Sequence, residues 1–376
     1  MASRLAPQIL RRGLEVFALI SVLVFVAILF YGNNLAQFVD AMLHLRWHWV
    51  LLGVAVASLD WFGGGLRLYI LLRHVHPTQS FKGAVISAGI NAFGMMVTPS
   101  QAGGGPFGIF ALTRYGTPVP EGMVATFMSF VATILFFVVA GPLVVLLGAG
   151  DSLEQHGILG LTNLNDLFRL SLGGFITVGL VILALILFPS IAQKLARRVV
   201  GFLERRGNPR IASRVSKLNE GIDRAHGAMV AYFSSVRGWL AIVASVLLTG
   251  ASLANKLLAG YIVLHALGIE APFVDVVMLQ TLIIFLLYFA PTPGGSGLAE
   301  LLSGAVMSIY VPRELTPSYV LLWRIYYAYL TVAAGSFVFW RWLKDWEASA
   351  EAPSDALPSG DDTGHASSVA PPQMDH

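Results

Sequence analysis

Of the 376 residues, 56% are hydrophobic and only 12% are charged, and the mean hydropathy is +0.71, a balance outside the range of soluble globular domains. No cysteine is present, which excludes disulfides, thiolate metal sites and a thiol nucleophile. The isoelectric point near 9.2 does not indicate a nucleic-acid partner, because most basic residues stand at the ends of apolar segments, as membrane topology requires.

The first apolar run, residues 16–31, follows Arg4, Arg11 and Arg12. No convincing small-residue cleavage site follows it, so an uncleaved first helix is predicted rather than a signal peptide. Further full crossings are predicted at 49–72, 120–148, 168–191, 239–267 and 317–340, each near or above the ~20 residues that span a bilayer. Two other apolar stretches, 83–114 and 273–311, break at Pro/Gly clusters over 98–106 and 291–297. Proline removes a backbone donor and glycine resists helix, so each stretch is predicted to fold as helix, irregular turn, helix. Irregular backbone at membrane depth persists only against protein or a watery cavity, which makes both stretches candidate re-entrant hairpins. The expected fold is therefore an all-α polytopic membrane protein with six full crossings and two hairpins.

With the N-terminus in the cytoplasm and each hairpin returning to its own side, 18 of the 24 basic residues fall on the cytoplasmic face and only Arg46, Arg169 and Arg313 outside. In that arrangement both termini are cytoplasmic, and the hairpins enter from opposite faces as an inverted repeat, a design that recurs in secondary transporters. Residues 1–346 form the expected membrane domain. Within it, 192–238 is a basic cytoplasmic loop in which Ile211, Val215, Leu218, Ile222, Ala225, Met229 and Phe233 recur at helical spacing. Such a helix suits anionic headgroups or a face of the bundle. Residues 347–376 carry six acidic residues and no Lys or Arg, a composition expected to be disordered. Without that tail the chain holds 24 basic against 15 acidic residues, net +9, and the expected partner is anionic lipid.

Charges inside spans are costly and mark functional candidates. They are Asp60, Arg67, Lys256, Glu300 and Arg324. Asp60 and Arg67, seven residues apart, lie on one helix face without touching. Gly63, Gly64 and Gly65 beside them read first as a close-packing seam. Lys256, next to Asn255, is too deep to reach water easily and needs a carboxylate, a carbonyl or water. Glu300 begins a half-helix after the second Pro/Gly break, where the helix dipole favours a carboxylate. Arg324, among Trp323, Tyr326 and Tyr327, is suited either to clamping a phosphate or to pairing with Glu300. Glu300 and Arg324 are the leading candidates for a polar path taking a lipid headgroup, with open backbone donors of the 291–297 turn beside them. No phosphate loop, metal motif or Ser/His/Asp set is present, so no enzyme activity, metal or cofactor is expected.

The segments TPSQAGGGP (98–106), LTRYG (112–116), PTPGGSGLAE (291–300) and WRIYY (323–327) resemble the transmembrane region of the lysylphosphatidylglycerol synthase family, also described as flippase-like. Hydrophobic architecture extends the likeness over roughly residues 10–345. The resemblance implies a multi-pass protein of the bacterial or archaeal cell (inner) membrane that moves lipids or lipid-linked intermediates between leaflets. Synthase activity is not implied, because the likeness covers the membrane part only. It draws attention to Gly103, Gly104, Gly105 and Arg114 at the first break, and to Pro293, Gly294, Gly295, Gly297 and Tyr327 at the second. Where relatives carry a Glu and a nearby Arg after the first glycine cluster, this chain has Gly105, Pro106 and Ile109. Two other readings stand beside translocation: a membrane-embedded transferase acting on a lipid-linked substrate, and a small-solute secondary transporter.

Overall fold

A computed structural model describes residues 2–31, 35–146, 232–288 and 290–351, with Val230 and isolated positions between 157 and 181. The chain divides into a unit of Met1–Ser336 and a second of Phe337–His376. Among the described residues it is helical, apart from a two-residue antiparallel pairing of Gly157–Ile158 with Thr162–Asn163. In chain order the helices are α1 (Ala2–Tyr31), α2 (Leu35–Leu43), α3 (Trp47–Val75), α4 (Phe81–Val97), α5 (Gly104–Arg114), α6 (Val119–Leu146), α7 (Val236–Ser252), α8 (Ala254–Leu257) and α9 (Ala259–Ala266). They continue with α10 (Phe273–Tyr288), α11 (Leu298–Met307), α12 (Thr316–Arg324) and α13 (Leu330–Glu351).

Among the described residues four segments are long and apolar enough to cross a membrane: Arg11–Phe30, Trp47–Val75, Val119–Leu143 and Val236–Ala266. They coincide with four of the six predicted crossings. Apart from isolated positions, the expected crossing at 168–191 lies outside the described residues, as do nearly all of the basic loop at 192–238 and the tail beyond 351. The stretch 317–340 is helical but is divided by a π-turn at Ile325–Tyr329, and neither part is both long and apolar enough to count as a span. Helix α13 runs to Glu351, past the expected start of the tail at 347.

Both Pro/Gly-broken stretches fold as helix, turn, helix. Helices α5 and α11 hold 11 and 10 residues. At ~1.5 Å per residue they reach about 16 and 15 Å, half of a ~30 Å hydrocarbon core. The two ends of each stretch lie together. The Thr117 hydroxyl donates to Gln79 Oε1 across the foot of the α4–α5 pair. The Tyr310 hydroxyl donates to Asp275 Oδ2 at 3.0 Å across the foot of the α10–α11 pair.

The two feet are at opposite ends of α3. Leu68, Leu71 and Leu72 at its C-terminal end cluster with Ala84, Leu112, Tyr232 and Ile242, and the Tyr232 hydroxyl donates to the Leu71 carbonyl at 2.6 Å. At the N-terminal end, the Arg46 N–H donates to the Ala266 carbonyl at 3.0 Å. There α2 meets both α12 and the 3₁₀ turn Arg313–Leu315 that follows the second pair.

The turns of the two pairs meet inside the bundle. Pro99 and Pro293 form an isolated antiparallel bridge, and the Ser100 N–H donates to the Ala290 carbonyl at 3.0 Å. Nearby, α3 is held close to its neighbours by its glycines: a Cβ on Gly63 would come within 3.1 Å of Ser252 N, and one on Gly65 within 2.5 Å of Val85. The packing reading of Gly63 to Gly65 accounts for these contacts.

Candidate functional site

The first turn adopts a backbone that proline and glycine prepare but that Ser100 and Gln101 complete. Both carry positive φ, +50° and +56°, in a region costly for side-chain-bearing residues. That conformation lets Ser100 Oγ reach the Ala290 carbonyl at 3.3 Å and Gln101 Nε2 the Leu287 carbonyl at 3.4 Å. Two carbonyls at and just past the end of α10 thus gain partners from the other turn, the Leu287 carbonyl in addition to the Ala290 N–H. Thr98 closes the loop from its own side, accepting from the Gly103 N–H at 2.8 Å and donating to the Gly94 carbonyl at 2.7 Å.

Beside this junction lies a cavity of about 490 Å³. Its wall is built by α3, α4, α5, α6 and the α7–α8 corner, with Ser100, Gln101 and Tyr288 where the turns meet. Among the described residues three that line it are charged: Asp60, Arg67 and Lys256. These were singled out because charge is rare in an apolar span, and the fold gathers them from helices nearly 200 positions apart.

Asp60 is already committed to several partners. Its Oδ1 stands 3.8 Å from Lys256 Nζ, while Oδ2 faces Asn255 Nδ2 and Thr331 Oγ1, both at 3.4 Å. The carboxylate Lys256 was expected to need is therefore present. Arg67 differs. Its Nη1 donates at 2.9 Å to Thr133 Oγ1 and to Thr249 Oγ1, which fix the guanidinium between α6 and α7. No carboxylate lies within ion-pair distance of it among the described residues, and its Nε has no hydrogen-bond partner. Ser87 Oγ, fully buried and also lining the cavity, is likewise unpartnered. Among the described residues two cations thus face one carboxylate, and the described wall carries a net positive charge.

Glu300 and Arg324 do not line the cavity. They form a closed pair with both side chains 0% exposed and Arg324 Nε 3.0 Å from Glu300 Oε1. Arg324 also donates to the Gly294 carbonyl and to Ser21 Oγ, each at 3.2 Å, and stands 5.3 and 5.6 Å from the Phe17 and Tyr329 ring centres. Glu300 Oε2 accepts the Gly297 N–H at 2.8 Å, capping α11. The turn offers few open donors: the Gly295 and Ser296 N–H groups bond to Thr292 and Pro293 carbonyls, and Gly297 is taken by Glu300. Positive φ at Gly294, Gly295 and Gly297 makes this self-satisfied turn possible. Pro293, Gly294, Gly295 and Gly297 therefore build the junction without touching the cavity.

Among the glycines at the first break, Gly104 and Gly105 line the cavity, whereas Gly103 packs on Thr98. Arg114 sits at the far end of α5 over the Phe110 ring, and Tyr327 is buried in a stack on Trp323 with centres 4.7 Å apart. Sequence reasoning passed over uncharged polar lining residues within the helices, among them Ser87, Asn91, Thr133 and Ser252. Only their position in otherwise apolar spans could have marked them. Among the described residues no group of three or more His, Asp or Glu side chains is placed to hold a metal ion.

The family model of the lysylphosphatidylglycerol synthase TM region matches residues 16–335, and the chain belongs to that family. No curated protein matches it.

Proposed function

We propose that this member of the lysylphosphatidylglycerol synthase transmembrane family moves a lipid or lipid-linked intermediate between membrane leaflets, with a phosphate-bearing head held at Arg67. The observation that carries the reading is the arginine in the cavity wall with no carboxylate within ion-pair distance among the described residues. A charge at membrane depth is expensive, and an anionic ligand would offset it. Guanidinium is also the side chain whose planar donors suit phosphate. Thr133 and Thr249 preset its orientation, so less side-chain freedom is lost when a headgroup arrives.

In this reading the two helix–turn–helix pairs are re-entrant, one from each face, and their joined turns divide the membrane at mid-depth. Orientation follows from the basic residues: both termini cytoplasmic, the α4–α5 pair entering from inside, the α10–α11 pair from outside. No phosphate loop for ATP is present in the sequence, so uphill movement would draw on an ion gradient or a partner.

The test is leaflet exchange of a labelled phosphatidylglycerol by purified protein in liposomes. A charge-assisted hydrogen bond contributes ~1.5–3 kcal/mol, so Arg67→Gln is expected to slow exchange roughly 10- to 100-fold while the protein stays folded. Exchange by Arg67→Gln at the wild-type rate refutes the proposal.

A further inference from the structure

The cavity lies deep in the bundle, yet part of its wall reaches the outer surface. On α6, Met123 and Phe130 line the cavity and are 52% and 48% exposed. Between them Thr126 lines it, and across from them α5 contributes Gly105 and Ile109, both partly exposed. These five positions form a seam between α5 and α6, apolar at the rim and leading to the polar wall that carries Arg67.

The glycines of α5 separate packing from function. A Cβ on Gly104 would come within 2.4 Å of Met95, and one on Gly108 within 3.0 Å of Asn91, so both are small because α4 presses on them. Gly105 is under no such pressure. Among the described residues a Cβ there would meet only Thr126 Cγ2, at 4.0 Å, across the seam. The α5–α6 approach at this point leaves a gap that a larger residue would fill without displacing its neighbours.

We infer that the seam between α5 and α6 at Gly105 is a lateral portal through which a phosphate-bearing membrane lipid inserts its head into the cavity while its chains stay in the bilayer. The inference rests on the proposed function and narrows its cargo. A water-soluble anion would have no use for an entrance rimmed by Ile109, Met123 and Phe130, whereas an amphiphile matches both parts: apolar rim to chain, Arg67 to head. The portal also spares the chains a passage through the protein, so the cavity need hold only the head.

The absence of native cysteine makes a plug that is installed after folding possible. Gly105→Cys is reconstituted in liposomes and then modified with a benzyl methanethiosulfonate reagent. The control is Val139→Cys, on the exposed face of α6 away from the cavity. Modification at 105 is expected to slow exchange of labelled phosphatidylglycerol at least about tenfold, with recovery on adding reductant, and modification at 139 to leave it unchanged. Arg67→Gln is assayed in parallel. If Arg67→Gln stops exchange while the plugged Gly105→Cys protein exchanges at the unplugged rate, the portal is overturned and the cavity reading survives. If neither change slows exchange, both fall. Should unmodified Gly105→Cys fail to fold, Thr126→Cys, across the same seam, takes the same modification and must give the same reversible block.

Discussion

Removing one half of the Glu300–Arg324 pair strands the other in an environment with no access to water, because both side chains are 0% exposed and 3.0 Å apart. Glu300→Gln is the cleaner perturbation: its amide oxygen can still accept the Gly297 N–H, so the cap on α11 survives and only the charge is lost. The expected cost is that of a lone buried charge, about 3–5 kcal/mol. Arg324→Gln strands Glu300 and also gives up the Gly294 and Ser21 hydrogen bonds and the two ring contacts. It should cost as much or slightly more. The double variant leaves no charge, so the losses should fall short of additivity by roughly 2 kcal/mol or more. Denaturation of detergent-solubilised protein by increasing dodecyl sulfate, followed by circular dichroism, measures all four corners of the cycle. Single variants within about 1 kcal/mol of the native protein, or a double equal to the sum of the singles, would refute the clamp. Because neither side chain lines the cavity, a folded double variant should still exchange lipid; loss of exchange in that protein would return the pair to the lipid path.

Asp60→Asn should unpair Lys256 and leave the cavity with two free cations, raising retention of anionic over zwitterionic lipid in the purified protein, as read by mass spectrometry; an unchanged lipid profile counts against the charge argument. Cysteines placed singly at Thr78 and Glu314, both exposed at the feet of the two hairpins, should react with an impermeant maleimide from opposite faces of the membrane, and labelling from one face would remove the inverted arrangement. Ser3→Cys and Ser359→Cys should label only from the cytoplasm, as the 18-to-3 division of basic residues requires; external labelling of Ser359→Cys would overturn the orientation.

Hydrophobic run length was enough to find four of the crossings, because a bilayer constrains composition over a long window. Proline and glycine sufficed to place both breaks, since they act locally on the backbone whatever the surrounding fold. The charged candidates were visible for an energetic reason: no apolar span tolerates Asp60, Arg67 or Lys256 without a purpose. Their grouping was not visible. Periodicity within α3 put Asp60 and Arg67 on one face, but the partners that give each its character, Lys256 and Asn255 for one, Thr133 and Thr249 for the other, come from helices whose packing no local pattern encodes. Glu300 and Arg324 looked equally functional for the same reason, and only the tertiary fold separates a charge shut against its opposite from a charge left open to a cavity. The π-turn was equally hidden, as IYYAY carries no proline or glycine to announce it.

That turn has a geometric effect on both charge clusters. Arg324 and Thr331 are seven positions apart, and in an uninterrupted α-helix of ~100° per residue they would differ in azimuth by only about 20°. One surplus residue absorbed at Ile325–Tyr329 makes the effective separation six, so the two side chains point roughly 120° apart. The first half of the helix can then address Glu300 and the second half Asp60, which a helix of constant phase could not do together. The wider loop of backbone also turns the Tyr326 carbonyl toward Asn255 Nδ2, 3.5 Å away, linking the phase shift itself to the residue that steadies Asp60.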